Sequence, residues 1–417
     1  MWARARLIWR VPMELITTIM ATVTYIPKAI CAWSLSLKER LSSQYHTTAK
    51  SWTMRADAAC ITALVLFVLS ALADDTGITG IKAAAGSASP NGTIVLTAVG
   101  DCTLANDDKV EGRSVAFHNV YNAQGPEYFL QNVRPLFAQD DLTIVNLECV
   151  MTTLGEREPA KDWCFRSDPS YLQILTSSSV EAVSFANNHC RDYGEISYTD
   201  TINNLNSYGI PFSSENYTTV LKINGIRVGL VSLQAAYRAS DEDKDKEYYD
   251  TEELIRLTDQ YLADVRAKGC DMVIMNYHWG IEKTSKITSQ QTTLGHYAID
   301  QGCDIVIGHH PHVLQPVELY NGKYIIYSLG NFCFGGNTNP KDKSTIIWQQ
   351  TFRLSEGKIV CDSARIYPCS ISSTDSVNDY CPTLLEGQKA QKIIGKMNRL
   401  SSSYGVSFQE DGVVSAN

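Results

Sequence analysis

From residue 93 onward, short apolar runs alternate with longer amphipathic stretches, and almost every apolar run stops at a small or polar residue able to do chemistry. TIVLTAV from Thr93 reads as a buried strand ending at Gly100-Asp101, and Leu142–Leu147 as one ending at Glu148. Val180–Phe185 ends at Ala186-Asn187-Asn188-His189, Met272–Asn276 at Tyr277-His278-Trp279-Gly280, and Asp304–Ile307 at Gly308-His309-His310-Pro311-His312. Arg227–Leu233 and Tyr324–Tyr327 complete the set, the latter running into Ser328-Leu329-Gly330-Asn331-Phe332. Helical periodicity lies between them, over 127–137, 169–177, 198–208, 252–268 and 289–301, and a last amphipathic helix is predicted over 383–404. Such strand–helix alternation predicts a layered α/β fold. The polar residues then collect at strand carboxyl ends, where open α/β sheets place their sites.

The first 92 residues follow another pattern. Residues 1–55 carry eight Lys or Arg against Glu14 and Glu39, whereas the whole chain has a net charge of −9. An uncharged apolar run follows from Ala58 to Ala73, and Asp74-Asp75 closes it. Basic before and acidic after is the charge order of a segment oriented with its N-terminus inside. The run is 16 residues, a little short for a spanning helix and long for a core helix with no polar face. It reads as a signal anchor or as a signal peptide cleaved after Ala71-Leu72-Ala73; a start at Met54 gives an ordinary signal-peptide length. The expected organisation is a basic cytoplasmic or mis-assigned segment (1–57), the membrane segment or signal (58–73), a Gly/Ala/Ser linker (74–92), one α/β domain (93–380), and a C-terminal helix and tail (381–417). The outer side of the membrane, or secretion after cleavage near Ala73, is the expected location.

Composition changes this picture little. Hydrophobic residues at 44% and charged residues at 19% suit a globular chain, and the net negative charge argues against nucleic acid as a partner. Ten of the twelve cysteines lie between Cys102 and Cys381, with no CxxC. An even number in an exported chain raises the expectation of disulfides.

The histidines carry the chemistry. The chain has eight, and His189, His278, His309, His310 and His312 directly follow predicted strands. A lone histidine there is usually a satisfied loop residue, but five in three loops, beside Asp101, Glu148 and Asn188, make that reading poor. Imidazole nitrogen with carboxylate oxygen suits a divalent Mn, Zn or Fe ion. The expected ligands are Asp101, Glu148, Asn188, His278, His310 and His312. Pro311 favours an extended His310, which would point both side chains of His310-Pro311-His312 the same way. His189 is a candidate general acid and Asp192 its orienting partner. Arg166, Trp279, Glu282 and His309 are candidate substrate contacts.

GD (100–101), NLE (146–148), ANNHCRDYG (186–194), HWGIE (278–282), GHHPHVLQPVE (308–318) and SLGNF (328–332) occur in the order seen in the CapA/PgsA family of poly-γ-glutamate capsule synthesis proteins, which the chain resembles over about residues 94–370. The resemblance implies a calcineurin-like metallophosphoesterase fold, a four-layer αββα sandwich. It implies that Asp101 stands at a first-metal position and Glu148 at a bridging position. Asn188 and His189 then match the metal asparagine and catalytic histidine, His278 the isolated metal histidine, and His310 and His312 the paired ones. His309 would lie behind them. The chain departs from that pattern at Asp101-Cys102-Thr103, where phosphoesterases carry Asp-x-His, and in having Glu rather than Asp at 148.

These readings imply a membrane-attached, outward-facing metal-binding protein of poly-γ-glutamate synthesis or export. It would act as a metal-dependent hydrolase or transferase, and its partners would be the polyanionic polymer, the membrane and other capsule synthesis subunits. Two alternatives stand beside this: a non-catalytic polymer-binding scaffold, and a secreted metallophosphoesterase unrelated to capsule.

Overall fold

The computed structural model describes residues 78–80, 92–110, 112–236 and 250–417. The expected segments 1–57 and 58–73, and nearly all of the 74–92 linker, lie outside these. Among the described residues no helix is long and apolar enough to cross a membrane.

Two mixed sheets dominate. The first runs β1 (Ile78–Gly80), β8 (Thr219–Ile223), β9 (Ile226–Gln234), β10 (Met272–His278), β11 (Ile305–His309), β13 (Lys323–Ile326), β12 (Val317–Tyr320). The second runs β17 (Thr383–Leu384), β16 (Lys358–Ser370), β15 (Ser344–Ser355), β2 (Thr93–Thr103), β3 (Leu142–Leu147), β6 (Ala182–Phe185), β7 (Phe212–Ser214), with β14 (Asn331–Phe334) also pairing β2. Short pairs are made by β4 (Val150–Met151) with β5 (Arg166–Ser167) and by β18 (Val406–Phe408) with β19 (Val414–Ala416). Within each sheet the central strands are parallel: β9, β10, β11 and β13 in one, β2, β3, β6 and β7 in the other. Their carboxyl ends therefore share an edge.

Side chains on a strand alternate between faces, and here the alternation sorts three cores. Ile94, Leu96 and Ala98 of β2, Leu142 and Ile144 of β3, Met272 and Ile274 of β10, and Ile305 and Ile307 of β11 form one apolar cluster, which places it between the sheets. The intervening residues Val145, Leu147, Val183 and Phe185 pack with Phe117, Tyr198, Ile202 and Leu205 from helices on one outer side. Val273, Met275, Tyr277 and Val306 pack with Leu254, Leu262, Leu294 and Ala298 from helices on the other. Continued two residues at a time, the inward columns of β3, β10 and β11 reach Asn146 and Glu148, His278, and His309. On β2 the count is off by one. The register against β3 shifts between Ala98 and Asp101, and that irregularity turns Asp101, which would otherwise face outward, into the same column.

The long helices lie close to expectation, at Gly194–Ser207, Thr251–Ala267 and Ser289–Asp300. The last carries a capping box in which Thr288 and Gln291 each bond the other's backbone. Other segments differ. The helix expected over 127–137 is only a 3-10 turn at Pro126–Tyr128 and a helical turn at Arg134–Phe137, and 169–177 likewise divides into a 3-10 turn and a helical turn. In the first, Pro135 lies inside the expected helix and cannot donate to it. The C-terminal helix is Gly387–Ser401 rather than 383–404, because Thr383–Leu384 pairs with β16. The hairpin β15–β16 was not anticipated. Its turn is Glu356-Gly357, both at positive φ (52° and 75°), the backbone of a tight two-residue hairpin turn.

The ten cysteines among the described residues are all free thiols, eight of them buried. The sequence leaves disulfides and unpaired thiols both open; among the described residues these side chains serve as small apolar core groups, and Cys102, Cys149, Cys164, Cys190, Cys333 and Cys369 belong to a single core cluster.

One buried carboxyl makes stability pH-dependent. Asp140 is 7% exposed; Thr143 Oγ1 donates to its Oδ2 at 2.6 Å, while Oδ1 has no partner. Burial, only partly offset by the Thr143 bond, pushes the carboxyl up to about 8. The folded protein therefore holds this proton where the unfolded chain has released it, so stability falls as pH rises from about 4 to about 8. Asp140→Asn is expected to flatten that slope and to raise Tm at pH 8, by about 2–4 °C per kcal/mol gained. Thermal unfolding at pH 5 and pH 8 measures this; equal losses in wild type and variant would refute it.

Candidate metal centre

The inward columns end in a cluster. Asp101 and Glu148 are fully buried, His278 and His310 nearly so. Asp101 Oδ2 lies 3.0 Å from His312 Nδ1, and its Oδ1 accepts from Asn146 Nδ2 at 2.9 Å. Glu148 Oε1 lies 3.5 Å from His278 Nε2 and 3.8 Å from His312 Nε2. His278 Nε2 is 2.7 Å from Asn188 Oδ1 and 3.1 Å from His310 Nδ1. Three donor triplets have ligand atoms within 4.8 Å of one another: Glu148/His278/His310, Asp101/Glu148/His312 and Glu282/His310/His312.

Two glycines permit this approach. A Cβ on Gly100 would collide with the Gly330 carbonyl, which accepts from Asp101 N–H at 2.9 Å. A Cβ on Gly308 would collide with the Tyr327 carbonyl and the Trp279 indole. The segment His310-Pro311-His312 is not extended, contrary to expectation. His310 has φ 96° and His312 φ 58°, conformations that cost non-glycine residues of the order of 1–3 kcal/mol each. Its two rings converge through a strained turn rather than by strand alternation. His278 and His309 are likewise the last residues of β10 and β11, not loop residues beyond them.

The charge state is set by burial and crowding. Burial opposes ionisation of Asp101, but hydrogen bonding and charge from His309 and His312 pull its carboxyl well below the usual range. Burial and the neighbouring Asp101 charge hold Glu148 well above it. Burial pushes His278 well down and His310 to about 4. His312 goes the other way, to about 10, because Glu148, Asp101 and Glu282 outweigh its burial. Glu282 is lowered to about 2, because His312, His310 and Lys283 outweigh its partial desolvation.

Within the cluster, Glu148 Oε1 is buried with no hydrogen-bond partner. An unpartnered carboxylate oxygen flanked by imidazole nitrogens is the environment a cation would satisfy. The donors present thus fit a divalent ion held by Asp101, Glu148, Asn188, His278, His310 and His312.

Next to this cluster, His189 Nδ1 lies 2.7 Å from Asp192 Oδ2. Asp192 also accepts from Phe165 N–H at 2.6 Å and from Lys161 Nζ, and Lys161 Nζ donates to the Asn188 carbonyl at 2.5 Å. Burial lowers His189 below its ordinary value, with Asp192 opposing. The remaining candidates separate. Trp279, expected to touch substrate, is fully buried just past the end of β10, where it stacks on Tyr277 and donates to the Tyr327 carbonyl at 2.8 Å. His309 is 2% exposed and lies beneath the cluster, 3.5 Å from Asp101, so it too is closed to substrate. Arg166 stacks 3.9 Å over the Tyr193 ring and donates to the Gly155 carbonyl. Glu282 stands at the rim, 44% exposed.

A family model described as the bacterial capsule synthesis protein PGA_cap matches residues 95–336. The chain belongs to this family. Relatives include the PGA biosynthesis protein CapA of Bacillus subtilis, 29% identical over 253 residues, 57% of this chain and 65% of the relative. Another is the capsule biosynthesis protein CapA of Bacillus anthracis, 28% identical over 271 residues, 61% and 64%. The chain thus spans just under two thirds of the length of the curated relatives it matches. Among solved structures, the calcineurin-like phosphoesterase YfkN of Bacillus subtilis aligns at a TM-score of 0.36 and 13% identity, covering 74% of this chain and 98% of that one.

In this PGA_cap chain the strand-end motifs hold more than the sequence reading assigned. Asn146 touches both Asp101 and His278 Nδ1 (3.3 Å). Asn187 bonds Asn146 and the Leu147 carbonyl, and Asn331 lies 2.9 Å from His312 Nδ1. All three sit inside motifs already singled out, NLE, ANNH and SLGNF, so their position was visible though not their role. Lys161 had no signal, because its partner Asp192 is 31 residues away.

A divalent ion bound through His312, whose ring is raised to about 10, would displace the proton that ring carries. Mn²⁺ or Zn²⁺ affinity is therefore expected to climb about tenfold per pH unit for each proton displaced between pH 6 and 8. Calorimetry in buffers of different ionisation enthalpy counts the protons; affinity independent of pH would contradict the charge assignment.

Proposed function

We propose that this PGA_cap protein is a metal-dependent hydrolase or transferase of metallophosphatase type. It works on the outer side of a bacterial cytoplasmic membrane, on an amide or phosphate ester of poly-γ-glutamate or its precursors. Mn, Zn or Fe is the ion, and the remaining capsule synthesis subunits are its partners. One observation carries the reading: Glu148 Oε1, fully buried and without a hydrogen-bond partner, faces His278 and His312 from the floor of a cluster of six oxygen and nitrogen donors.

Bound there, a divalent ion supplies Lewis acidity and an acidified water. His189 manages the proton. With Nδ1 against Asp192 and a lowered pKa, the resting ring keeps its one proton on Nδ1 and offers Nε2 as an acceptor. It takes a proton from the attacking water and returns it to the leaving group. Asp192, held by Phe165 N–H and Lys161, fixes that tautomer. Asn146, Asn187 and Asn331 orient the ligands.

A second reading, a polymer-binding scaffold, draws on the missing first-motif histidine, since Thr103 stands there. His189→Ala separates the two. An enzyme should fold, keep its metal, lose about 10²–10⁴-fold in rate, and lose surface polymer or alter its length. Unchanged polymer from a stably expressed variant would leave the scaffold. For location, the charge step around Ala58–Ala73 predicts that a reporter fused after Asn91 is exported and one fused at Lys50 is not; cytoplasmic activity of the Asn91 fusion would overturn export.

A further inference from the structure

We propose that a pocket between the end of β2 and β5 binds the head group of an α-amino acid, ammonium and carboxylate together, as borne by the amino-terminal residue of a γ-linked glutamate chain or by free glutamate. The inference rests on the reading that poly-γ-glutamate or its precursor is the substrate. The pocket has a volume of about 170 Å³ and is lined by Arg166, His118, Asp108, Asp168, Ser167 and Tyr171. It adjoins the acid–base side of the site through β5. Phe165, the residue before Arg166, has its ring 4.6 Å from that of His189 and its N–H on Asp192. Ser167 Oγ donates to the Leu104 carbonyl, tying β5 to the end of β2.

The lining carries both signs of charge. Arg166 is half-buried, and its Nη1 donates to the Gly155 carbonyl at 3.2 Å while the guanidinium lies over Tyr193. Among the described residues it has no carboxylate at ion-pair distance. A guanidinium in that condition is an open fork for a ligand carboxylate. His118, in the helix Phe117–Gln124, has no hydrogen-bond partner for its ring among the described residues. Against these stand two acids. Asp108 Oδ1 accepts from the Tyr193 hydroxyl at 3.4 Å, so one tyrosine positions both the acid and the guanidinium. Asp168 Oδ1 caps the following turn by accepting from Ser170 N–H at 2.9 Å. Tyr171, stacked on Tyr121 at 3.8 Å, supplies an aromatic wall. This sign pattern selects its ligand. A phosphate or an interior α-carboxylate of the polymer would meet two acids, and a simple cation would meet Arg166; a zwitterion satisfies both. In a chain joined through γ-carboxyl groups every α-amine but the first is an amide, so only the amino-terminal residue carries ammonium and carboxylate on one carbon. The plain alternative is that Arg166 merely clasps Tyr193 to Gly155, but that does not account for His118 and the two acids lining the same pocket.

Calorimetry on the full-length, detergent-solubilised protein tests this, with Mn²⁺ and with chelator. The probes are a short γ-linked glutamate oligomer, the same oligomer N-acetylated, and free glutamate. The oligomer with a free amine should bind at least about tenfold more tightly than the acetylated one, as loss of a charged hydrogen bond requires, with or without metal. Arg166→Gln should lose about the same factor for the free-amine oligomer and keep the melting temperature. Asp108→Asn/Asp168→Asn, in which asparagine retains the cap at 168, should bind the two oligomers alike. Free glutamate that competes as well as the oligomer marks the amino acid itself as the source of the head group; weaker competition marks the chain end. Equal affinity of wild type for the free-amine and acetylated oligomers would overturn the proposal, as would unchanged binding by a folded Arg166→Gln. Cleavage reports on the underlying reading instead. An oligomer held by its amine yet never cut with Mn²⁺ present removes the hydrolase and leaves the pocket, whereas cutting of both oligomers at equal affinity removes the pocket and leaves the hydrolase.

Discussion

The structure depends on two acidic side chains, Asp101 and Glu148, buried without solvent between two sheets. Withdrawing a carboxylate from water costs several kcal/mol per ion after relaxation, and the surroundings answer that cost asymmetrically. Asp101 is ionised against His312 and Asn146, whereas Glu148 is pushed toward its neutral form, one oxygen left without a partner. Protonated His312 thus occupies, electrostatically, the role a cation would take between the two carboxyls. The mixed-sheet architecture makes this possible, because the apolar columns below the site are the same strands that end in its ligands.

Strain marks the same place. His310 and His312 are among the few non-glycine residues at positive φ, and they sit side by side around Pro311. The turn is held by the Lys283–Pro311 backbone bond and by the tight approach of Gly308 to the Tyr327 carbonyl. A shell of asparagines fixes the ligand orientations. Such over-determined geometry is what a preorganised ion site requires, since the donors need not reorganise on binding.

Much of this was legible in the sequence, for specific reasons. Strand cores such as Leu142–Leu147 and Met272–Asn276 are apolar runs with sharp polar ends, so both element and site residue could be read directly. The irregularity before Asp101 could not, because alternation alone would have turned that carboxylate outward. Pro311 suggested an extended backbone, but the close packing of the neighbouring loops overrode the local preference. Trp279 beside His278 could be read as core or as a recognition residue; it lies just past β10 and stacks on Tyr277 in the core. The hairpin Ser344–Ser370 carried no polar terminus to draw attention. The pairing of Lys161 with Asp192 depends on loops brought together only by the fold.

The central claim is that these buried carboxylates and histidines form a divalent-cation centre. Crystals of the protein loaded with Mn²⁺, measured on either side of the manganese absorption edge, test it most directly. The account predicts an anomalous peak within ligand distance, about 2.0–2.3 Å, of Glu148, His278 and His310. Absence of any peak among these side chains in metal-loaded crystals, or a peak bound only elsewhere on the molecule, would contradict it.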